Sequence, residues 1–219
     1  TGQYAQLGAN LPVAVWGHTA TLLQDSKVLI AGGKDSAGQP VAALQLFDPA
    51  TGSFTALFPM SRPRSQHTAT LLKDGRVLIA GGTDGQGALP GLDIYDPGNQ
   101  TVSLVGATLL TPRQRHSATL LYDSRVLIVG GSNSSGVLNS AELFNPADGT
   151  IAPAAALNIA RTLASAARLL NGTVLVAGGQ NPQNQDLNSV EVYDPKKNTF
   201  TLLTALMSTP RSGHLGLRL

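Results

Sequence analysis

Residues 17–33 read GHTATLLQDSKVLIAGG, and the chain repeats this phrase. It returns as QHTATLLKDGRVLIAGG at 66–82, RHSATLLYDSRVLIVGG at 115–131 and LASAARLLNGTVLVAGG at 163–179. The Gly-Gly pairs close at Gly33, Gly82, Gly131 and Gly179, in steps of 49, 49 and 48 residues. A second marker keeps the same step: Phe47-Asp48-Pro49, Tyr95-Asp96-Pro97, Phe144-Asn145-Pro146 and Tyr193-Asp194-Pro195. Two markers sharing one period define a structural repeat.

Within each unit the apolar pattern has period two and the segments are short, which specifies strands rather than helices. The first two strands run from His18 to Leu23 and from Lys27 to Ala31. They are joined by Gln24-Asp25-Ser26, whose counterparts Asp74-Gly75 and Asn171-Gly172 are hairpin turns. Val28-Leu29-Ile30-Ala31 is apolar throughout and is expected to be buried on both faces. The third strand alternates: Leu44 and Leu46, Leu92 and Ile94, Ala141 and Leu143, Val190 and Val192 share one face, with Gln45, Asp93, Glu142 and Glu191 between them. A fourth strand follows the Asp-Pro or Asn-Pro turn, around Phe54, Val102, Ile151 and Phe200. Four antiparallel strands at this repeat length describe the blade of an all-β propeller.

The units resemble the kelch-repeat family, with propellers like that of galactose oxidase. The resemblance rests on the apolar strand ending in Gly-Gly and on the aromatic-Asp-Pro turn, and it covers essentially the whole chain. The His-Thr-Ala-Thr-Leu-Leu phrase followed by Asp-Gly-Arg-Val-Leu-Ile-Ala-Gly-Gly is similar to bacterial kelch repeats of surface or secreted proteins, which implies an extracellular or cell-surface location. One departure concerns the last strand. Where kelch units usually place an aromatic residue, often Trp, this chain has Phe54, Val102, Ile151 and Phe200, so aliphatic blade packing is expected.

The repeats divide the chain into 17–65, 66–114, 115–162 and 163–212, one propeller over 1–219 with partial-blade strands in 1–16 and 213–219. Thr1-Gly2-Gln3-Tyr4 matches the last-strand phrase Thr51-Gly52-Ser53-Phe54, and Ser212 to Leu217 matches a first strand. Four blades and two leftover strands fall short of the roughly 245 to 345 residues of a five- to seven-bladed ring. The expectation is truncation of a longer propeller at both ends; otherwise closure is unusual or uses another chain.

Composition removes several classes. Without Cys there is no disulfide, thiolate metal site, Cys nucleophile or iron-sulfur cluster, nor the Tyr-Cys copper centre that the galactose oxidase resemblance would suggest. A net charge of +2 with no basic block argues against nucleic acid. No apolar run approaches the roughly 18 residues of a spanning helix, so no membrane insertion is expected. The sialidase Asp box, the Gly-x-Ser-x-Gly elbow and the His-Glu-x-x-His run are absent.

Four columns of residues are candidates. His18, His67, His116 and His214 open the innermost strand, with Ala164 in the fourth unit. Imidazoles on separate blades are too far apart for one metal ion, and each is expected to bond a neighbouring blade's backbone. Two positions later Ala20, Ala69, Ala118, Ala166 and Gly216 are small, as crowding at the propeller axis would demand. Three positions before the His slot stand Arg64, Arg113, Arg161 and Arg211, with Val15 the exception. Around one mouth of the channel they can grip carboxylates, and some similar kelch domains bind acidic peptides so; alternatively each bonds loop carbonyls of the next blade. Arg168 and Arg218 replace the Leu22, Leu71 and Leu120 of the earlier units, as ligand contacts or as side chains snorkelling into the channel.

The loops after Gly-Gly are polar and differ among units, as binding loops on a rigid frame do. The sequence therefore points to a non-catalytic binding or scaffold module without a cofactor or metal, presenting these loops and an arginine-lined mouth to a protein or glycan partner. Two alternatives remain: the propeller portion of a larger secreted enzyme whose catalytic residues lie elsewhere, and a structural subunit of an oligomer, surface assembly or filament.

Overall fold

A computed structural model describes residues 8–216. Thr1-Gly2-Gln3-Tyr4, Leu217 and Arg218 lie outside the described residues. The structure is all-β, with four sheets of four antiparallel strands each.

The first blade orders β1 (Thr19–Leu22), β2 (Val28–Ala31), β3 (Leu44–Asp48) and β4 (Ser53–Ala56) from the inside outward. The second repeats this with β5 (Thr68–Leu71), β6 (Val77–Ala80), β7 (Leu92–Asp96) and β8 (Thr101–Leu104). The third has β9 (Ser117–Leu120) and β10 (Val126–Val129), a small hairpin of β11 (Ser132–Asn133) and β12 (Gly136–Val137), then β13 (Ala141–Asn145) and β14 (Thr150–Ala154). The fourth has β15 (Ser165–Arg168), β16 (Val174–Ala177), β17 (Val190–Asp194) and β18 (Thr199–Leu202). Register is the same from blade to blade: Leu29 faces Leu46 as Leu78 faces Ile94 and Leu127 faces Leu143.

The cores lie between blades. Leu29, Ala31, Leu44 and Leu46 of the first sheet pack on Val77, Ile79 and Tyr95 of the second, and two further clusters join the second to the third and the third to the fourth. The second strand is therefore covered on both sides, and Val77, Leu78, Ile79 and Ala80 are all buried. The small-residue column also belongs here: Ala69, Ala118 and Ala166 pack against these clusters, where the inner strands of adjoining blades lie close together. Side chains of an inner strand alternate between two sheet faces, so they point at neighbouring blades. Among the described residues no neighbouring blade covers the outermost sheet faces. Leu22 is exposed and Leu175 half-buried, whereas Leu29, Leu78 and Leu127 are fully buried.

The Gly-Gly pairs let the blades approach. Gly81 has φ +59°, and a Cβ there would lie 2.5 Å from the Arg113 carbonyl oxygen and 2.9 Å from His116 Cε1 of the next blade. Its neighbour Gly82 donates N–H to the same carbonyl at 2.9 Å. This bond recurs as Gly33 to Arg64, Gly131 to Arg161 and Gly179 to Arg211.

At the far end, residues 212–216 form no strand among the described residues, because no strand pairs with them there. His214 is nevertheless placed as in the other units, with Nε2 2.9 Å from Ser165 Oγ.

Candidate functional site

The topology sorts the loops into two faces. The upper face holds the segments that lead into each inner strand and the loops after Gly-Gly; the lower face holds the inner hairpin turns and the Asp-Pro turns.

Arg64, Arg113 and Arg161 stand in the segments leading into the inner strands of the second, third and fourth blades, but they do not line a mouth. Their exposures are 0%, 0% and 1%. Arg64 Nη1 donates to the Gly81 and Gly91 carbonyls, each at 3.0 Å, and Nη2 donates to Asp93 Oδ2 at 2.6 Å. Arg113 treats Gly130, Ser140 and Glu142 alike, and Arg161 treats Gly178, Ser189 and Glu191 alike. Burial lowers each guanidinium's pKa, and the facing carboxylate opposes that shift. Of the two readings of these arginines, bonds to loop carbonyls of the next blade hold for these three, and free guanidiniums at a mouth do not. The blade meets the terminal nitrogens with carbonyls and a carboxylate; Nε donates to the Thr111 carbonyl from Arg113 and to the Ile159 carbonyl from Arg161, while Arg64 Nε is buried with no partner among the described residues.

The carboxylates also hold the chain. Glu142 accepts from the Leu110 and Thr111 amides, and Glu191 from those of Asn158 and Ile159. In the first blade both partners are neutral: Val15 replaces the arginine, and Gln45 exchanges two bonds with Val13, N to Oε1 at 2.8 Å and Nε2 to O at 3.0 Å. The sequence carried this signal, since the neutral residues Val15 and Gln45 fall in the same unit of two columns read separately.

Among the expected arginines, Arg211 remains exposed, its Nε donating to Thr209 O at 3.3 Å. Arg168 does not reach into a channel. Its Nη1 donates to Leu120 O at 2.8 Å and its guanidinium lies 4.1 Å over the Tyr122 ring, fastening the fourth blade to the third. Arg218 lies outside the described residues.

In His67 and His116 the ring Nε2 meets a side chain of the preceding blade, and His67 also bonds the Ala31 backbone there, as expected of a neighbouring-blade contact. His67 Nε2 is 3.0 Å from Thr19 Oγ1, and His116 Nε2 is 2.9 Å from Thr68 Oγ1, in each case the preceding blade. Where Ala164 replaces the imidazole, Ser117 Oγ donates to the Ala164 carbonyl instead. Burial drives the pKa of His67 and of His116 down to about 3, with Arg64 and Arg113 adding to it. These rings are neutral at ordinary pH. Among the described residues no group of three His, Cys, Asp or Glu is placed to hold a metal ion.

A depression of about 680 Å³ opens at the centre of the upper face, and its one cation is a residue outside the expected columns, Arg115. Residues just before the His slot take left-handed backbone: Gln66 at φ 57°, Arg115 at 56° and Leu163 at 56°. Their amides form a chain around the mouth, Arg115 N to Gln66 O, Leu163 N to Arg115 O and Gly213 N to Leu163 O, each 2.9 Å. Arg115 Nε donates to Gln66 Oε1 at 3.1 Å, and its side chain is exposed. Nothing in the spacing singled it out, because Gly17, Gln66 and Leu163 fill the same slot.

The loops around this mouth are stiffened from within. Asp35 Oδ1 accepts from the Ala37 and Gln39 amides, Asp84 Oδ1 from Gln86 and Gly87, and Asn181 Oδ1 from Gln183 and Gln185. Their side-chain oxygens are occupied by their own turns.

Stacked four-stranded blades with these interblade fastenings define a repeat protein of the propeller kind. The profile described as the KLHDC2/KLHL20/DRC7 Kelch-repeats domain matches residues 3–153, and that of the Kelch motif matches 161–207. The chain belongs to the kelch-repeat family. A search of curated proteins returns no match.

Proposed function

We propose that the chain is a non-catalytic protein-binding module that works through its upper face. Kelch repeats generally mediate protein–protein interaction, which supports a binding scaffold as the coarse function. The observation that carries the finer reading is the exposed Arg115 at the centre of a mouth otherwise built from backbone and neutral side chains. Only its Nε is engaged among the described residues, so the two terminal nitrogens are open to a carboxylate in bidentate fashion. Four loops of different sequence surround it on rigid blades, giving the diversity that recognition of one particular partner requires. The partner is therefore a protein that brings an acidic segment to the mouth.

A photo-crosslinking amino acid placed at Leu163 of the mouth, at Ser134 or at the lower-face Ser124 tests this. Cross-links from 163 and 134 to one protein, lost when Arg115→Glu is introduced beside either probe, are expected. Cross-links only from 124 would overturn it.

A further inference from the structure

Asn171 stands at the tip of the hairpin joining β15 to β16, on the lower face, in a slot that the first three blades fill with Asp25, Asp74 and Asp123. Each of those carboxylates accepts from the amide two residues on and pairs with the cation there, Lys27, Arg76 or Arg125. Asn171 keeps the turn without the charge. Its exposed carboxamide accepts at Oδ1 from the Thr173 amide at 3.1 Å and from Thr173 Oγ1 at 2.7 Å, while Nδ2 donates no hydrogen bond among the described residues.

That geometry suits attack by the intervening nitrogen. A ring closed between Oδ1 and the amide two residues on folds Cγ back over the amide between them, here that of Gly172. Glycine puts no side chain in the way. The two Thr173 donors already bond the oxygen on which negative charge collects as the nitrogen adds, as an oxyanion hole does. In the closed hairpin Gly172 N–H donates to Leu169 O at 3.0 Å, so attack follows opening of this exposed tip, the kind of local opening that costs least. Asn99 has the same two donors, the Thr101 amide at 3.1 Å and Thr101 Oγ1 at 2.6 Å, but the nitrogen between belongs to Gln100.

We propose that Asn171 is a site of spontaneous self-modification, converted through Gly172 to aspartate and isoaspartate. Gly172 N gives its proton to hydroxide and bonds Asn171 Cγ; the Cγ–Nδ2 bond then breaks, and Nδ2 takes a proton from water and leaves as ammonia. The cyclic imide that remains is opened by water. Addition at Cγ breaks its bond to Gly172 N and leaves aspartate, whereas addition at the main-chain carbonyl carbon breaks that bond instead and leaves isoaspartate. One ammonia is exchanged for one water, with no change of oxidation state. Both products add a carboxylate to the depression of about 490 Å³ between the third and fourth blades, where Asp123 and Asp194 already stand. Aspartate restores the residue of the other hairpins. Isoaspartate adds one carbon to the backbone of the turn, against the Tyr122 ring that lies 3.0 Å from where a Gly172 Cβ would be. The lower face thus gains charge as the chain ages, independently of the upper-face reading at Arg115.

The test is to age the whole chain in mildly alkaline buffer, locate each gain of one mass unit by peptide fragmentation, and count isoaspartate with isoaspartyl methyltransferase. Asn171 is expected to convert at least about tenfold faster than Asn99, giving both products. Thr173→Val keeps the amide but removes the hydroxyl donor, and should slow conversion about tenfold. Gly172→Ser copies Ser26 and Ser124 of the first and third hairpins, which hold the same left-handed backbone at φ 70° and 73°, and so keeps the fold. It should also slow conversion at least about tenfold. An intact Asn171, conversion at Asn99 as fast as at Asn171, or a rate unchanged in either variant overturns the proposal.

Discussion

Arg64 and Asp93 meet at 2.6 Å with neither side chain exposed. Asp93 also accepts from Ser61 Oγ at 2.9 Å, so one carboxylate ties both the guanidinium and the segment that carries it onto the second blade. Removing one partner of a buried pair strands the other charge and costs about 3–5 kcal/mol. Asp93→Ala is expected to lose stability on that scale. The double variant Arg64→Val with Asp93→Gln, copying the neutral pair of the first blade, should lose clearly less than either single change. Urea unfolding midpoints decide it, and a fully stable Arg64→Val would show that the pair is no fastening.

Gly81 makes a second prediction, because two effects act there in one direction. Its φ of +59° disfavours any L side chain, and the added Cβ would sit 2.5 Å from Arg113 O, a backbone atom that cannot swing aside. Gly81→Ala should therefore destabilise by at least about 2 kcal/mol. Gly38→Ala is the control, since it has φ +77° with nothing within 4 Å of the new Cβ. Equal losses at the two positions would mean that interblade approach adds nothing to backbone strain.

The fold was legible because blade geometry is written in local patterns. Gly33, Gly82, Gly131 and Gly179 and the aromatic-Asp-Pro turns mark each blade twice, and the alternation at Leu44 and Leu46 separates an apolar buried face from one on which Gln45, Asp93, Glu142 and Glu191 are buried as polar anchors. The candidate site was much less legible. The spacing that gathers Arg64, Arg113 and Arg161 in one column is silent about whether a guanidinium faces solvent or a carboxylate 29 or 30 residues onward. Reading Gln45 against Val15 would have paired the columns. Arg115 escaped for the opposite reason, since a residue that no other unit shares leaves no periodic trace.

Arg168 carries a prediction that separates structure from binding. Its Nε is buried without a hydrogen-bond partner, against one bond to Leu120 O and the stacking on Tyr122. An unsatisfied buried donor costs about 1–3 kcal/mol, while an exposed cation–π contact returns only about 0.5–1 kcal/mol. Arg168→Leu, which restores the residue of the first three blades, should hold or raise stability by about 1 kcal/mol. A thermal midpoint lowered by several degrees would show instead that the fourth blade depends on this cation.

His67 and His116 set the final prediction, on pH. Each has a pKa near 3 in the folded chain, against 6.5 for an ordinary imidazole, because burial penalises the charged ring. Unfolding releases the rings to take up protons, so the unfolded state binds more protons anywhere between those two values. Stability is then complete above about pH 6.5 and falls as the pH drops, by about 1.4 kcal/mol per pH unit for each histidine. Most carboxylates remain ionised from pH 7 to 5, which makes that the window to measure. The slope of unfolding free energy in it should be roughly halved by His67→Ala, a change that the fourth blade already tolerates at Ala164, with Ser117 turning to the backbone carbonyl. An unchanged slope in that variant would mean that the buried imidazole takes up its proton without unfolding, and that Thr19 and the surrounding blade can accommodate the charge.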